Sequence, residues 1–247
     1  MAAQVSSDPV DLSHIDVWIF DLDNTLYPAR CNLFAQIDQR MTAFIESYLG
    51  MAKDDARRLQ KRYYVEHGTT LNGLMRENGV APGDFLEYVH DIDLSLLEAD
   101  PALARHINAL PGEKYVFTNG SVAHAENVME KLGLAELFDA VHDIEAGEFL
   151  PKPHADAYER FLKRHDLKAS AAIMFEDLPQ NLIAPHDLGM TTVLVQSDAL
   201  WIENEPVETR PSTAGEAHAH VHHAIEDIAE FLARVRHSAH ASALEKG

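Results

Sequence analysis

Apolar residues first gather between Ile15 and Phe20, where IDVWIF sets β-branched and aromatic side chains in one compact run. A short run of this kind predicts a buried strand. The period then changes. Leu33, Phe34, Ile37, Met41, Phe44, Ile45 and Tyr48 recur at helical spacing, and the pattern stops at Gly50. Further helices are predicted over 54–66, 71–78, 82–90 and 101–109. No strand signal interrupts residues 31–109, which is too long for a single crossover helix. The stretch reads as a helical insertion lying over a sheet.

Strands and helices alternate after Pro111-Gly112. KYVFT at 114–118, AAIMF at 171–175 and TTVLV at 191–195 predict strands, with a short apolar piece at 140–142. Helices are predicted over 122–131, stopping near Gly133, over 154–165 and over 179–188. Single helices between strands imply a parallel sheet with right-handed crossovers. The fold class is therefore α/β, with the sheet built from 13–30 and 110–202 and the helical insertion 31–109 placed after the first strand.

Both ends read differently. Residues 1–14 form a polar lead-in expected to fray. Residues 203–220 lose periodicity and carry Pro206 and Pro211, so they read as linker. Val221, Ile225, Ile228, Leu232 and Val235 then line one helical face, predicting a last helix that docks on the core. The unit 203–247 is thus linker, C-terminal helix and histidine-rich tail. His218 and His222 lie four apart and could share a metal on a helix face, although solvated histidine-rich tails are far commoner.

Hydrophobic residues make up 46% of the 247, enough for a real core. The net charge of −20, from 40 acids against 20 bases, argues against nucleic-acid polymers and anionic membranes as partners. A small phosphorylated metabolite stays open, because a metal ion reverses the local field. Cys31 is the sole cysteine, so no internal disulfide forms. The start of the chain shows neither a basic n-region nor an apolar h-region, and no apolar run approaches the roughly 20 residues of a membrane span. The expected location is the cytoplasm.

The predicted strand ends carry the candidate chemistry. Asp21 and Asp23 follow the first strand, with Thr25 two residues on. Acids at the carboxyl edge of an open sheet stand where such folds bind ligands, though a polar turn capped by Asn24 and Thr25 explains the stretch alone equally simply. Thr118-Asn119-Gly120-Ser121 joins a hydroxyl, an amide and a glycine to a helix start, which makes either an anion cradle or an ordinary N-cap. Lys152 lies between Pro151 and Pro153, whose rings either stiffen and aim it or simply hold a surface lysine in a stiff loop. Glu176-Asp177 follows AAIMF directly, and adjacent carboxylates there are costly to ionise without a cation such as Mg²⁺. Asn181 either orients one of these acids or caps a helix. Together the four strand ends make a functional constellation far stronger than any one of them.

With FDLDNTLY, VFTNG, LPKP and MFEDLPQN in this order, the sequence resembles the haloacid dehalogenase-like superfamily of phosphohydrolases over residues 13–200. WIFDLDNTLYPARCNLFAQID, YYVEHGTTLNGLM and YVHDIDLSLL resemble its pyrimidine 5′-nucleotidase-like branch. The resemblance implies a Rossmann-like core, with the insertion as its helical cap. It implies a Mg²⁺-dependent phosphomonoesterase with Asp21 as nucleophile, forming an aspartyl-phosphate, and Asp23 as acid and base. Thr118, Asn119, Gly120 and Lys152 would hold phosphate. Asp21, Asp23 through its carbonyl, Glu176 and Asp177 would hold the metal, and Thr25 would support the turn. The dehalogenases of the superfamily lack an acid at the position of Asp23. Arg40, Tyr64 and His67 are the cap residues expected to reach substrate, with Tyr63, Thr69, Thr70 and Asp91 nearby. The expected substrate is a pyrimidine nucleoside 5′-monophosphate. The alternatives are a sugar-phosphate or phosphoglycolate phosphatase, a phosphoglucomutase, and a weakly active phosphate-binding protein.

Overall fold

The computed structural model describes residues 9–199 and 210–236. Its centre is a strand of four buried residues, β2 (Val17–Phe20), preceded by the short β1 (Val10–Asp11). β2 pairs in parallel with β3 (Glu113–Phe117) on one side and with β5 (Ala172–Glu176) on the other. β4 (Ala140–His142) extends the sheet beyond β3, and β6 (Thr191–Val195) and then β7 (His223–Ile225) extend it beyond β5. The order β4-β3-β2-β5-β6-β7 reverses direction at β2. The crevice outside its carboxyl end is the place where an open α/β sheet binds its ligand.

Both faces of the sheet are covered, which explains the continuous apolar runs. Trp18 and Phe20 join Val116, Ile173, Phe175 and Val193 in one core cluster. Val17 and Ile19, pointing the other way along the pleat, join Tyr115, Phe117, Met174 and Leu194 in the second. The Trp18 indole N–H, wholly buried, donates to the Pro111 carbonyl at 2.8 Å. At the turn into β3, Gly112 has φ +72°, and a Cβ there would stand 2.0 Å from the Asp16 carbonyl oxygen. Only glycine allows that approach.

The predicted helices of the insertion are present as α1 (Leu33–Leu49), α2 (Lys53–His67), α3 (Thr70–Asn78) and α4 (Pro82–His90). They close a core of their own around Ile37, Ile45, Leu74, Phe85 and Val89. α2 and α3 cross so closely that a Cβ on Gly73 would stand 2.3 Å from the Tyr63 ring. The fifth helix, α5 (Pro101–Ala109), was expected with this group. Its Leu103 and Ile107 instead join the cluster of Trp18 and Phe20, against the sheet.

Beyond β3 the chain runs through α6 (Val122–Leu132), α7 (Ala155–Arg164) and α8 (Ile183–Asp187). The helix expected over 179–188 is a 3-10 turn, Pro179–Leu182, followed by the short α8. The C-terminal expectation fails more fully. No helix runs over 221–235: β7 ends in Ile225, α9 spans Ile228–Leu232, and Val235–Arg236 forms β8. β8 pairs with Val10–Asp11, so the described end of the lead-in is a strand rather than a frayed tail. Apolar residues at three- and four-residue spacing imitated one helix. Backbone pairing beside β6 and β1 decided otherwise, and Asp227 starts α9 by accepting from the Glu230 N–H at 2.9 Å. Residues 203–209 of the expected linker, the tail after 236 and the first eight residues lie outside the described residues.

Candidate active site

Asp21 continues the pairing of β2, its N–H donating to the Phe175 carbonyl at 2.9 Å. Leu22 points into the core, so Asp21 and Asp23, two apart, both face the cavity above the sheet edge. Each acid has a hydroxyl partner four residues on. Thr25 Oγ1 donates to Asp21 Oδ2 at 3.0 Å, and the Tyr27 hydroxyl to Asp23 Oδ1 at 2.6 Å. Thr25 therefore touches the expected nucleophile itself, beyond the turn support expected of it.

Lys152 is the buried cation of the site. Its Nζ donates to Asp21 Oδ1 at 2.6 Å and to Glu176 Oε1 at 2.7 Å. Burial alone would lower the lysine's pKa, but Asp21 and Glu176 overcome it and raise it, so the ammonium stays charged. Asn119 clamps the lysine's backbone: its amide donates to the Lys152 carbonyl at 3.1 Å and accepts from the Lys152 N–H at 2.9 Å. The Asn119 side chain is thereby occupied as a loop brace. Thr118 Oγ1 accepts from the Gly120 N–H at 2.9 Å, and both residues line the cavity beside Lys152.

Asp21, Glu176 and Asp177 each place one carboxylate oxygen within 4.8 Å of the others, and all three are buried. Burial, together with the Glu176 charge and against the pull of Lys152, raises the Asp21 carboxyl to about 7. Burial, Glu176 and Asp21 push Asp177 well above the ordinary range. Three buried carboxylates around one ammonium are short of positive charge, and their hard oxygen donors fit a divalent cation. Glu176 is already heavily engaged, since Oε1 also accepts from the Asn181 amide at 2.6 Å and Oε2 from the Leu178 N–H at 2.8 Å. Asn181 thus orients an acid.

Asp23 has a different environment. Burial works to raise its carboxyl, but His124, hydrogen-bonded through Nε2 at 2.8 Å, and the Tyr27 hydroxyl hold it at about 2. The resting Asp23 is a carboxylate, and an added phosphate charge beside it shifts it toward the acid form. The His124 ring stacks on His90 with centroids 4.4 Å apart. His90, the last residue of α4, is held neutral by burial and by His124, with a pKa of about 3, and its Nδ1 meets Ser121 Oγ at 3.0 Å. Tyr27, His90 and His124 were missed in the sequence. The i, i+4 spacing of Tyr27 from Asp23 was a usable signal, whereas His90 and His124 meet only through the fold.

The cavity over these groups is about 340 Å³ and runs up between the sheet edge and the insertion. Tyr64, Thr69 and Thr70 line it. Arg40 and His67 do not. Arg40 binds the Tyr88 carbonyl at 2.6 Å and exposed Asp91 at 3.0 Å, tying α1 to the end of α4. His67 packs on Tyr63, 4.0 Å from Glu77. The wall holds instead a polar group the sequence did not reveal. Asp38 accepts from Arg57 at 2.9 Å, Lys61 at 2.8 Å and buried Gln60 at 2.6 Å. The helix face on which His218 and His222 could have shared a metal is absent, because His222 Nδ1 binds Thr192 Oγ1 at 2.8 Å beside the sheet. Among the described residues the only possible metal cluster is Asp21, Glu176 and Asp177.

Residues 15–189, from the strand before Asp21 to the turn after α8, match the family model described as haloacid dehalogenase-like hydrolase. The chain belongs to the haloacid dehalogenase-like hydrolases. It is 30% identical over 213 residues to Phosphate metabolism protein 8 of Saccharomyces cerevisiae, covering 78% of this chain and 65% of that protein. The chain thus spans somewhat under two thirds of that relative's length. It is 26% identical over 194 residues to the glyceraldehyde 3-phosphate phosphatase of Methanocaldococcus jannaschii, covering 72% and 83%. Two solved structures share the fold. CbbY from Rhodobacter sphaeroides, in complex with phosphate, superimposes with a TM-score of 0.57 at 18% identity, covering 87% of this chain and 96% of that one. L-2-haloacid dehalogenase from Xanthobacter autotrophicus, with chloropropionic acid covalently bound, gives 0.53 at 15% identity over 89% and 97%. Among the described residues no helix is long and apolar enough to cross a membrane.

Proposed function

We propose that this hydrolase is a Mg²⁺-dependent phosphomonoesterase working through an aspartyl-phosphate on Asp21. The observation that carries the reading is Asp23, a second carboxylate facing the same cavity as Asp21 and held by its own hydrogen bonds. Attack at phosphorus expels an alkoxide, which needs a proton; the displacement of halide from carbon does not. The names of the yeast and archaeal relatives support phosphate chemistry.

Asp21 attacks phosphorus in line, the P–O bond to the leaving group breaks, and Asp23 passes a proton to the departing oxygen. Asp23, again a carboxylate, then takes a proton from the water that attacks the aspartyl-phosphate. Phosphate leaves and Asp21 is restored. Lys152, the Thr118 hydroxyl and the Asn119 N–H hold the equatorial oxygens, where transition-state charge gathers. Asp21, Asp177 and the Asp23 carbonyl, with Glu176 beside them, would hold Mg²⁺, which when bound would supply the charge that offsets repulsion between carboxylate and phosphate.

The substrate we favour is a pyrimidine nucleoside 5′-monophosphate. A cavity of about 340 Å³ with Phe34, Tyr64 and Phe85 in its walls and Asp38 at one polar point suits a flat base better than a bare polyol. The archaeal relative's name favours a second reading, a small sugar phosphate. The lone cysteine suits action in the cytoplasm. Phosphate release is to be measured with CMP, UMP, AMP, glucose 1-phosphate, phosphoglycolate and glyceraldehyde 3-phosphate, with Mg²⁺ and with EDTA. We expect CMP or UMP to lead and EDTA to stop turnover until Mg²⁺ is restored. Release from none of the six overturns the reading, and glyceraldehyde 3-phosphate in the lead replaces the substrate.

A further inference from the structure

The geometry points to His124 and Tyr27 as positioning residues that divide the labour between the two oxygens of Asp23. Both donate to the same atom: Tyr27 at 2.6 Å and His124 at 2.8 Å reach Oδ1. None of the described groups bonds Oδ2. Oδ1 is thereby the anchor, and Oδ2 is the oxygen that hands a proton to the leaving group and later takes one from water. The inference rests on the acid–base role of Asp23 in the proposed function.

The anchors are themselves fixed. The His124 side chain is 1% exposed, and its ring lies flat on His90, with only 10° between the planes. It sits in the first turn of α6, where Ser121 Oγ accepts the His124 N–H at 3.3 Å. Tyr27 is buried within the core cluster of Leu22 and Leu26. Neither ring has room to follow a wandering carboxylate. An aspartate with one anchored oxygen keeps a single free lone-pair face toward the cavity, and small losses of such alignment are costly in proton transfer. Without the anchors, repulsion from Asp21 favours turning the Asp23 carboxylate away from the site.

The test is the dependence of kcat/KM on the leaving group, measured with Mg²⁺ on p-nitrophenyl phosphate, whose leaving group needs no proton, and on an alkyl phosphate, whose leaving group does. For Tyr27→Phe and His124→Ala we expect a loss of about 10- to 100-fold on the alkyl ester, within the range a positioned acid contributes. On p-nitrophenyl phosphate the loss should stay within about threefold, the mark of an interaction used only when a proton moves. His124→Gln, which keeps an N–H donor, should recover much of the alkyl activity even if His124→Ala folds poorly. Equal losses on both esters, or no loss on either, overturn the positioning role. Asp23→Ala separates the two levels. If it steepens the leaving-group dependence while Tyr27→Phe and His124→Ala leave wild-type behaviour, the anchors are irrelevant. If Asp23→Ala itself shows no such dependence, the acid–base role falls and the inference falls with it.

Discussion

At the sheet edge one cation is held between acids, with Lys152 within 2.7 Å of both Asp21 and Glu176 and Asp177 alongside. On the facing cap wall one acid is held between cations, with Asp38 collecting Arg57, Lys61 and the Gln60 amide. Both networks line the same cavity, yet they differ in burial. The Lys152 side chain is 1% exposed, whereas those of Arg57 and Lys61 are 48% and 30% exposed. Charges at the sheet edge therefore interact strongly and lack one positive partner, which suits a cation and an in-line reaction. Charges on the cap wall are shared with solvent and interact weakly, which suits recognition of whatever the phosphate leaves behind. Under the proposed function, the difference assigns rate to one region and selectivity to the other.

Asp21→Asn should have the largest effect, leaving no measurable phosphate release, because the amide is no nucleophile; retained turnover of a generic phosphate ester breaks the sheet-edge half of the comparison. Next in size, Lys152→Met should lower kcat by roughly 10²- to 10³-fold in steady-state assays, the loss of one preorganised charge on the transition state. It also leaves Asp21 and Glu176 facing each other unneutralised, so a higher apparent affinity for Mg²⁺ by calorimetry should accompany the loss. Asp38→Asn should raise KM by about 3- to 10-fold with little change in kcat, the pattern of an interaction made equally in ground and transition state. A fall in kcat like that of Lys152→Met would erase the division between the regions.

The smallest effect concerns stability and lies outside both regions. His142, at the end of β4, is 1% exposed, and neither ring nitrogen has a partner among the described residues. Burial, then His165, lowers its pKa to about 4. The unfolded chain, with an ordinary histidine pKa near 6.5, binds the proton first, so stability is whole above that value and declines as pH falls toward 4. The loss reaches about 2 kcal/mol by pH 5. His142→Phe, packed against Phe117 and Phe161, should flatten this decline in denaturant titrations at pH 5 and 7.5. An unchanged slope would place the acid sensitivity at His90 instead, the other buried histidine whose pKa burial lowers, to about 3.

How legible each part was follows from how local it is. Asp21, Asp23, Thr25 and Tyr27 lie within seven residues on one strand end, so spacing alone gathers them, and only the role of Tyr27 went unread. Lys152 was marked by its flanking prolines, though its clamp by Asn119 was not. Arg40 and His67 looked apt by residue type and point elsewhere, because helix α1 and helix α2 each present several polar faces and packing selects one of them. At the C-terminal end, the apolar spacing of 221–235 fitted a helix, and pairing with β6 and β1 made it strand, turn and strand.

The sequence by itself determined the α/β alternation, the helical insertion and the order of the four strand-end motifs, because period and punctuation are local properties of a chain. Only the tertiary structure decided that His124 and His90 stack behind Asp23, that Asp38 gathers its partners across α1 and α2, and that α5 belongs with the sheet. These depend on distances between segments far apart in the chain. Such distances are set by the packing of whole faces, which no single stretch of sequence encodes.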